Sequence, residues 1–196
     1  MGRPTLQESK DTKAELLQVG LDLIQTRGYN AFSYQDLADR LNIRKASIHY
    51  YFPSKEDLGI GLMEHGIERL KAWQQKHNDP NLSALTRLEA YFDYFAMLSA
   101  SGTKICPCGA LMSDWGALPP KLQGAVSKLL TTHREWVKAT LESGRKSGEI
   151  AKNGTAEEQA MFVFASLQGA LQASRAQSSP AYFRAITRQL LSALKA

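Results

Sequence analysis

The chain has 196 residues, 43% of them hydrophobic and 22% charged, which is enough apolar mass for a buried core and far from the composition of a disordered protein. Its 24 lysines and arginines outnumber 19 aspartates and glutamates, and the net charge of +5 points to a polyanionic partner. No apolar run approaches the roughly 20 residues of a membrane span, two closely spaced cysteines make no disulfide framework, and the polar start from Met1 to Lys13 lacks a signal-peptide core; no membrane partner and a cytoplasmic protein are expected.

Apolar residues from 12 to 77 recur at three- and four-residue spacing without sustained strand-like alternation, so the spacing predicts an all-α fold. Leu16, Leu17, Val19, Leu21, Leu23 and Ile24 mark a first helix over about 12–26, and Gly28 suits the left-handed position after it. Ser33 with Asp36 three residues on forms a near capping box for a helix over about 34–41. Asn42 tolerates a left-handed turn, after which a short helix is predicted over about 45–50. Ser54 and Asp57 repeat the start signal for a long helix over about 55–76. Beyond the loop Asn78-Asp79-Pro80-Asn81, helices are predicted over about 82–99, 109–118, 120–147, 156–176 and 180–194, with Thr155 and Glu158 capping the penultimate one.

Two short helices joined by a tight turn, the second rich in polar and aromatic residues, are the parts of a helix-turn-helix. Leu37, Ala38 and Leu41 make the buried face of the first, and Ile43 and Ile48 anchor the second. Arg44, Lys45, Ser47, His49, Tyr50 and Tyr51 remain to meet DNA. From Arg40 to Lys55 there are four cations and no acid, although residues 1–60 as a whole carry eight of each sign and the +5 excess lies elsewhere. Phosphate contacts supply most of the affinity and base-edge contacts the specificity. Lys45, Ser47, His49 and Tyr50 are the candidate base contacts; Lys55, Tyr34, Tyr51 and the Thr12/Lys13 end of the first helix are the candidate phosphate clamps. Phe52 is read as core, and for Tyr51 core packing is an equal alternative. Arg3-Pro4 is either a disordered end or an arm reaching the minor groove.

The run from Ala31-Phe32-Ser33-Tyr34-Gln35-Asp36-Leu37-Ala38 through Ile43-Arg44-Lys45-Ala46-Ser47-Ile48-His49-Tyr50-Tyr51-Phe52-Pro53-Ser54-Lys55-Glu56-Asp57-Leu58 closely resembles the DNA-binding segment of TetR-family bacterial transcriptional regulators. The resemblance implies a three-helix DNA-binding domain over residues 1–58 and a larger helical effector-binding and dimerisation domain over 59–196. It further implies a homodimer on a palindromic double-stranded operator, usually a repressor, released when a small molecule enters the larger domain. An activator of the same fold is the alternative, and no cofactor is implied. Carried over by position, the family's phosphate-contacting lysine falls on Lys55, its aromatic contact on Tyr50 or Tyr51, and its small-residue and hydroxyl pair on Ala46-Ser47.

Cys106-Pro107-Cys108-Gly109 opens a helical segment, where amides and dipole favour a thiolate, with Lys104 nearby. Core packing and redox or electrophile sensing both suit this pair. One branch of the TetR family that resembles this region carries a cysteine near the position of Cys108 and includes thiol-based sensors. A metal site is disfavoured, because zinc wants four ligands or three plus water, while His49, His65, His77 and His133 are dispersed and His49 is assigned to DNA. A cysteine-dependent enzyme would pair Cys106 or Cys108 with His133 and Asp114, but no nucleophile elbow or glycine-rich phosphate loop supports it, and the protein is read as no enzyme. Trp73, Tyr91, Phe92, Phe95, Trp115, Trp136, Phe162 and Phe164 either line an effector cavity or fill a core, and the absence of a charged cluster among them points to an apolar, neutral effector. Ala160, Ala165, Gly169, Ala170 and Ala173 permit close helix packing, across a two-fold axis or inside one chain. Gly59, Gly61 and Gly66 soften the start of the long helix, whose shift would move two recognition helices away from a spacing of about 34–36 Å.

Overall fold

A computed structural model of the chain describes the backbone of residues 6–196 and the side chains of residues 11–196. Arg3-Pro4 therefore lies outside the described residues. Among those described there are nine α-helices and no strand: α1 Leu6–Arg27, α2 Tyr34–Leu41, α3 Lys45–Tyr51, α4 Lys55–His77, α5 Ala84–Ala100, α6 Pro107–Met112, α7 Pro120–Ser147, α8 Ala156–Ala176 and α9 Pro180–Leu194. No helix among them is long and apolar enough to cross a membrane.

The boundaries follow local chemistry. Ser33, Ser54 and Thr155 each form a reciprocal capping box, with Asp36, Asp57 and Glu158 respectively. Asn42 closes α2 in the left-handed region at φ 51°, and the Ile43 amide returns to the Ala38 carbonyl at 3.0 Å. The segment predicted as one helix over 109–118 divides instead. Here α6 runs from Pro107, whose missing N–H costs nothing in a first turn, and Trp115–Ala117 forms a 3₁₀ turn. Leu118 precedes Pro119 and takes ψ 138°, the extended geometry a following proline enforces. The first helix begins earlier than predicted because residues 6–11 are polar helix formers with no apolar stripe to reveal them.

At the centre, α4 packs against α1 on one side and α7 on the other. Its glycines are points of contact more than points of softness. A Cβ at Gly61 would lie 2.9 Å from the Phe52 ring, and one at Gly59 about 3.0 Å from Leu122. Helices α8 and α9 pack together and onto α5, with a buried hydrogen bond between the Ser99 and Ser174 hydroxyls.

Candidate nucleic-acid interface and effector cavity

Arg44, Lys45, Ser47 and His49 are exposed on or beside the seven-residue helix α3, while Ile48 is fully buried beneath them. Tyr50 is 73% exposed, and its ring meets that of half-buried Tyr51 edge-on at 5.0 Å, which limits how it can swing. The His49 ring lies 4.7 Å from the Tyr34 ring, with Nδ1 3.2 Å from the Pro53 carbonyl. Lys13 is exposed, 5.9 Å from the Phe52 ring, and Thr12 is half-buried beside it. These groups form an outward face that is polar, aromatic and cationic.

Two expected phosphate clamps point inward. The Tyr34 hydroxyl donates to the carbonyls of Phe52 and Ser54, at 2.8 and 2.6 Å, and pins the turn between α3 and α4. Burial pushes its pKa up to about 12, so it remains a donor. The Lys55 ammonium donates to the Phe32 carbonyl and sits 4.8 and 4.7 Å from the Tyr29 and Phe32 ring centres. Desolvation lowers its pKa. Arg40, part of the acid-free window in sequence, pairs with Asp22 of α1 at 2.6 Å. Arg44 and Lys45 are thus the cations of that window left on the outer face. The supporting pair Tyr29 and Phe32 was missed, because nothing in their spacing shows that a lysine 23 residues later folds over them.

A cavity of about 300 Å³ lies among α1, α4, α5, α7 and the start of α6, and Gln25, Arg69, Tyr94, Lys104, Cys106 and His133 are among its lining residues. None of the six residues expected at the effector, Trp73, Phe92, Phe95, Trp115, Trp136 and Phe162, lines it. Phe92 and Phe95 are buried core, and Trp73, Trp136 and Tyr91 pack together with ring centres 5.3–5.9 Å apart. Trp115 is 41% exposed in a separate surface groove with Met112, Val126 and Leu130, and Phe162 is 54% exposed on α8. Helical spacing tells that a ring faces inward but not whether it meets a cavity or another ring. The neutral effector is also corrected: Arg69 and Lys104 reach the cavity from different elements and form no cluster in sequence.

Cys106 and Cys108 are buried and unbridged, and only Cys106 lines the cavity. The Cys108 thiol donates to Cys106, which holds the Cys106 pKa down to about 7 against the opposing effect of burial and pushes that of Cys108 up. His133, dispersed from the cysteines in sequence, is brought to them: its ring nitrogen and both sulfurs lie within 4.8 Å of one another. Burial holds its pKa down to about 3, so the imidazole is neutral. Its Nδ1 meets the Tyr91 hydroxyl at 2.9 Å, so the group beside it is a phenol where an enzyme triad would place a carboxylate. The carboxylate proposed for that role, Asp114, is close enough to Lys55 to act on its charge.

The segment bearing the cysteines is tied to the helix-turn-helix. Asp22 bonds Lys104 through Oδ1 at 2.8 Å and Arg40 of α2 through Oδ2 at 2.6 Å. The Ile105 amide donates to the Gln25 carbonyl at 3.1 Å, and Arg175 of α8 donates to the Thr26 carbonyl at 2.9 Å.

Residues 16–59 match the family profile described as bacterial regulatory proteins, tetR family, and residues 84–190 match the tetracyclin repressor-like C-terminal domain. The chain belongs to the TetR family. A TetR-family regulator from Agrobacterium tumefaciens has a solved structure with TM-score 0.89 and 34% identity, over 96% of this chain and 100% of that one. Among curated relatives, transcriptional regulator AcuR from Cereibacter sphaeroides is 22% identical, covering 88% of this chain and 80% of its own length. The transcriptional repressor NemR from Escherichia coli is 24% identical, covering 86% of each chain. This TetR-family chain is therefore a DNA-binding transcriptional regulator and not a cysteine-dependent enzyme.

Proposed function

We propose that this TetR-family protein is a repressor that binds a palindromic operator as a homodimer and releases it when a small molecule fills the cavity or modifies Cys106. The observation that carries the reading is the Lys104–Asp22–Arg40 bridge, because it joins the segment leading to Cys106 to the helix that supports α3. A molecule pressing on Lys104 or Gln25 acts on α1 directly, so coupling does not depend on α4 alone. The division into residues 1–58 and 59–196 accords with the DNA-binding match ending at residue 59.

Arg44, Lys45, Ser47, His49 and Tyr50 meet the major groove in this reading, with Tyr51, Thr12 and Lys13 at flanking phosphates. Tyr34 and Lys55 hold the motif's shape. The repressor assignment takes support from the name of the NemR relative. Exposed Met161, Phe162 and Tyr182, with exposed Ala165 and Gly169, give α8 and α9 an outer face suited to a second copy, while Ala160 and Ala170 face the chain's own core. The effector is small, with a polar or anionic end for Arg69 and Lys104; an electrophile or oxidant would act through Cys106.

Gel shift with DNA flanking the protein's own coding region is the test. A salt-sensitive, sequence-selective complex by a dimer is expected, released by an electrophile in the original protein but not in Cys106→Ser. Absence of any selective complex would overturn the operator reading, and equal release in Cys106→Ser would overturn the thiol's role. A reporter that falls, where it should rise, on deleting the regulator would identify an activator.

A further inference from the structure

The cluster of Cys106, Cys108 and His133 holds more chemistry than one reactive thiol requires. All three side chains are buried, and their donor atoms converge within 4.8 Å although His133 comes from α7 and the cysteines from the start of α6. Two sulfurs and an imidazole nitrogen form a donor set for soft or borderline cations and a poor one for magnesium or calcium. Zinc bonds of about 2.3 Å to sulfur and about 2.0 Å to nitrogen place tetrahedral donors roughly 3.5–3.8 Å apart, so the cluster needs to close by about 1 Å.

Three further observations point the same way. The Tyr91 hydroxyl engages Nδ1 of His133, the outer-shell contact that fixes the tautomer of a metal-bound histidine and leaves Nε2 for the ion. Gln168 is buried against Cys106, and its amide nitrogen has no acceptor, so it is free to donate to a thiolate. Its carboxamide oxygen lies 2.5 Å from where a Cβ on Gly109 would stand, so the missing side chain at Gly109 admits it. Finally, the cavity reaches Cys106 and His133 but not Cys108, so one side of the cluster is open.

We propose that Cys106, Cys108 and His133 bind one divalent zinc-class ion, with the fourth coordination position facing the cavity. Binding releases both thiol protons, and the two thiolate charges cancel the 2+ charge of the ion, so the buried centre is neutral. This resolves the requirement for three protein ligands plus water: the cavity supplies water or an effector's donor atom. The site goes beyond the regulator reading and can be tested without DNA.

The test is titration of the reduced full-length protein with cobalt(II) chloride and then zinc chloride. The expected result is one cobalt per protomer with a thiolate-to-metal absorption band, displaced by zinc, and zinc-loaded protein whose thiols resist iodoacetamide. Cys106→Ser and Cys108→Ser, with helical content checked by circular dichroism, should each lose the band, and Tyr91→Phe should weaken binding about 10-fold. Absence of the band, a stoichiometry unchanged in the double serine variant, or thiols alkylated equally with and without zinc would overturn the proposal. Operator binding by the same metal-free preparation would show that the regulator reading stands whatever the outcome.

Discussion

The molecule keeps its two polar centres in opposite media. Arg44, Lys45, Ser47 and Tyr50 stand in water on or beside α3, whereas Cys106, Cys108 and His133 are sealed from it, with His133 against the rings of Tyr91, Phe95 and Phe164. Charges in water act at a distance and weaken with salt, while groups in a dry interior act on contact and feel every neighbour. The outer centre is thus suited to finding a long polyanion, and the inner one to distinguishing small molecules or ions.

The largest expected effect removes the dry surroundings. Phe95→Ala, beside His133, should cost about 3–5 kcal/mol in denaturant unfolding and speed alkylation of Cys106; a cost under about 1 kcal/mol would mean the enclosure is loose. Next, Arg44→Ala with Lys45→Ala should weaken operator binding across all sequences and reduce the slope of log affinity against log salt by about 2, with the melting temperature unchanged. Tyr34→Phe leaves two carbonyls without their donor and should cost about 1–3 kcal/mol of stability, while operator affinity per folded dimer stays the same. A loss of affinity with no loss of stability would return Tyr34 to the DNA face. The smallest effect is at Asp36, whose carboxylate is held down to about 2 by hydrogen bonds from the Ser33 hydroxyl and amide and then by Arg27. Its stabilising contribution is complete above its ordinary value of 3.8 and is lost as the pH falls toward about 2. Asp36→Asn should therefore show a shallower loss of stability over that acid range.

The capping boxes at Ser33, Ser54 and Thr155 were legible because a cap is settled by residues three positions apart. The same holds for Asn42, where one side chain decides a turn. Tyr34 and Lys55 were placed on the wrong side of the surface because their partners, the carbonyls of Phe52, Ser54 and Phe32, are 18–23 residues away. Sequence spacing marks their type but not their direction. The cavity was less legible still: its charge comes from Arg69 on α4 and from Lys104 between α5 and α6, and the approach of His133 to the thiols is made by packing alone.

The bond between Asp22 and its two cations has a consequence in time. Each oxygen of one exposed carboxylate serves a different partner, so departure of Lys104 frees a single side-chain torsion to turn and alter the hold on Arg40. Such rotations take picoseconds to nanoseconds, whereas rigid-body motions of domains take microseconds to milliseconds. The carboxylate can therefore sample its positions many thousands of times before the helices move, and what reaches α2 is the average of that sampling.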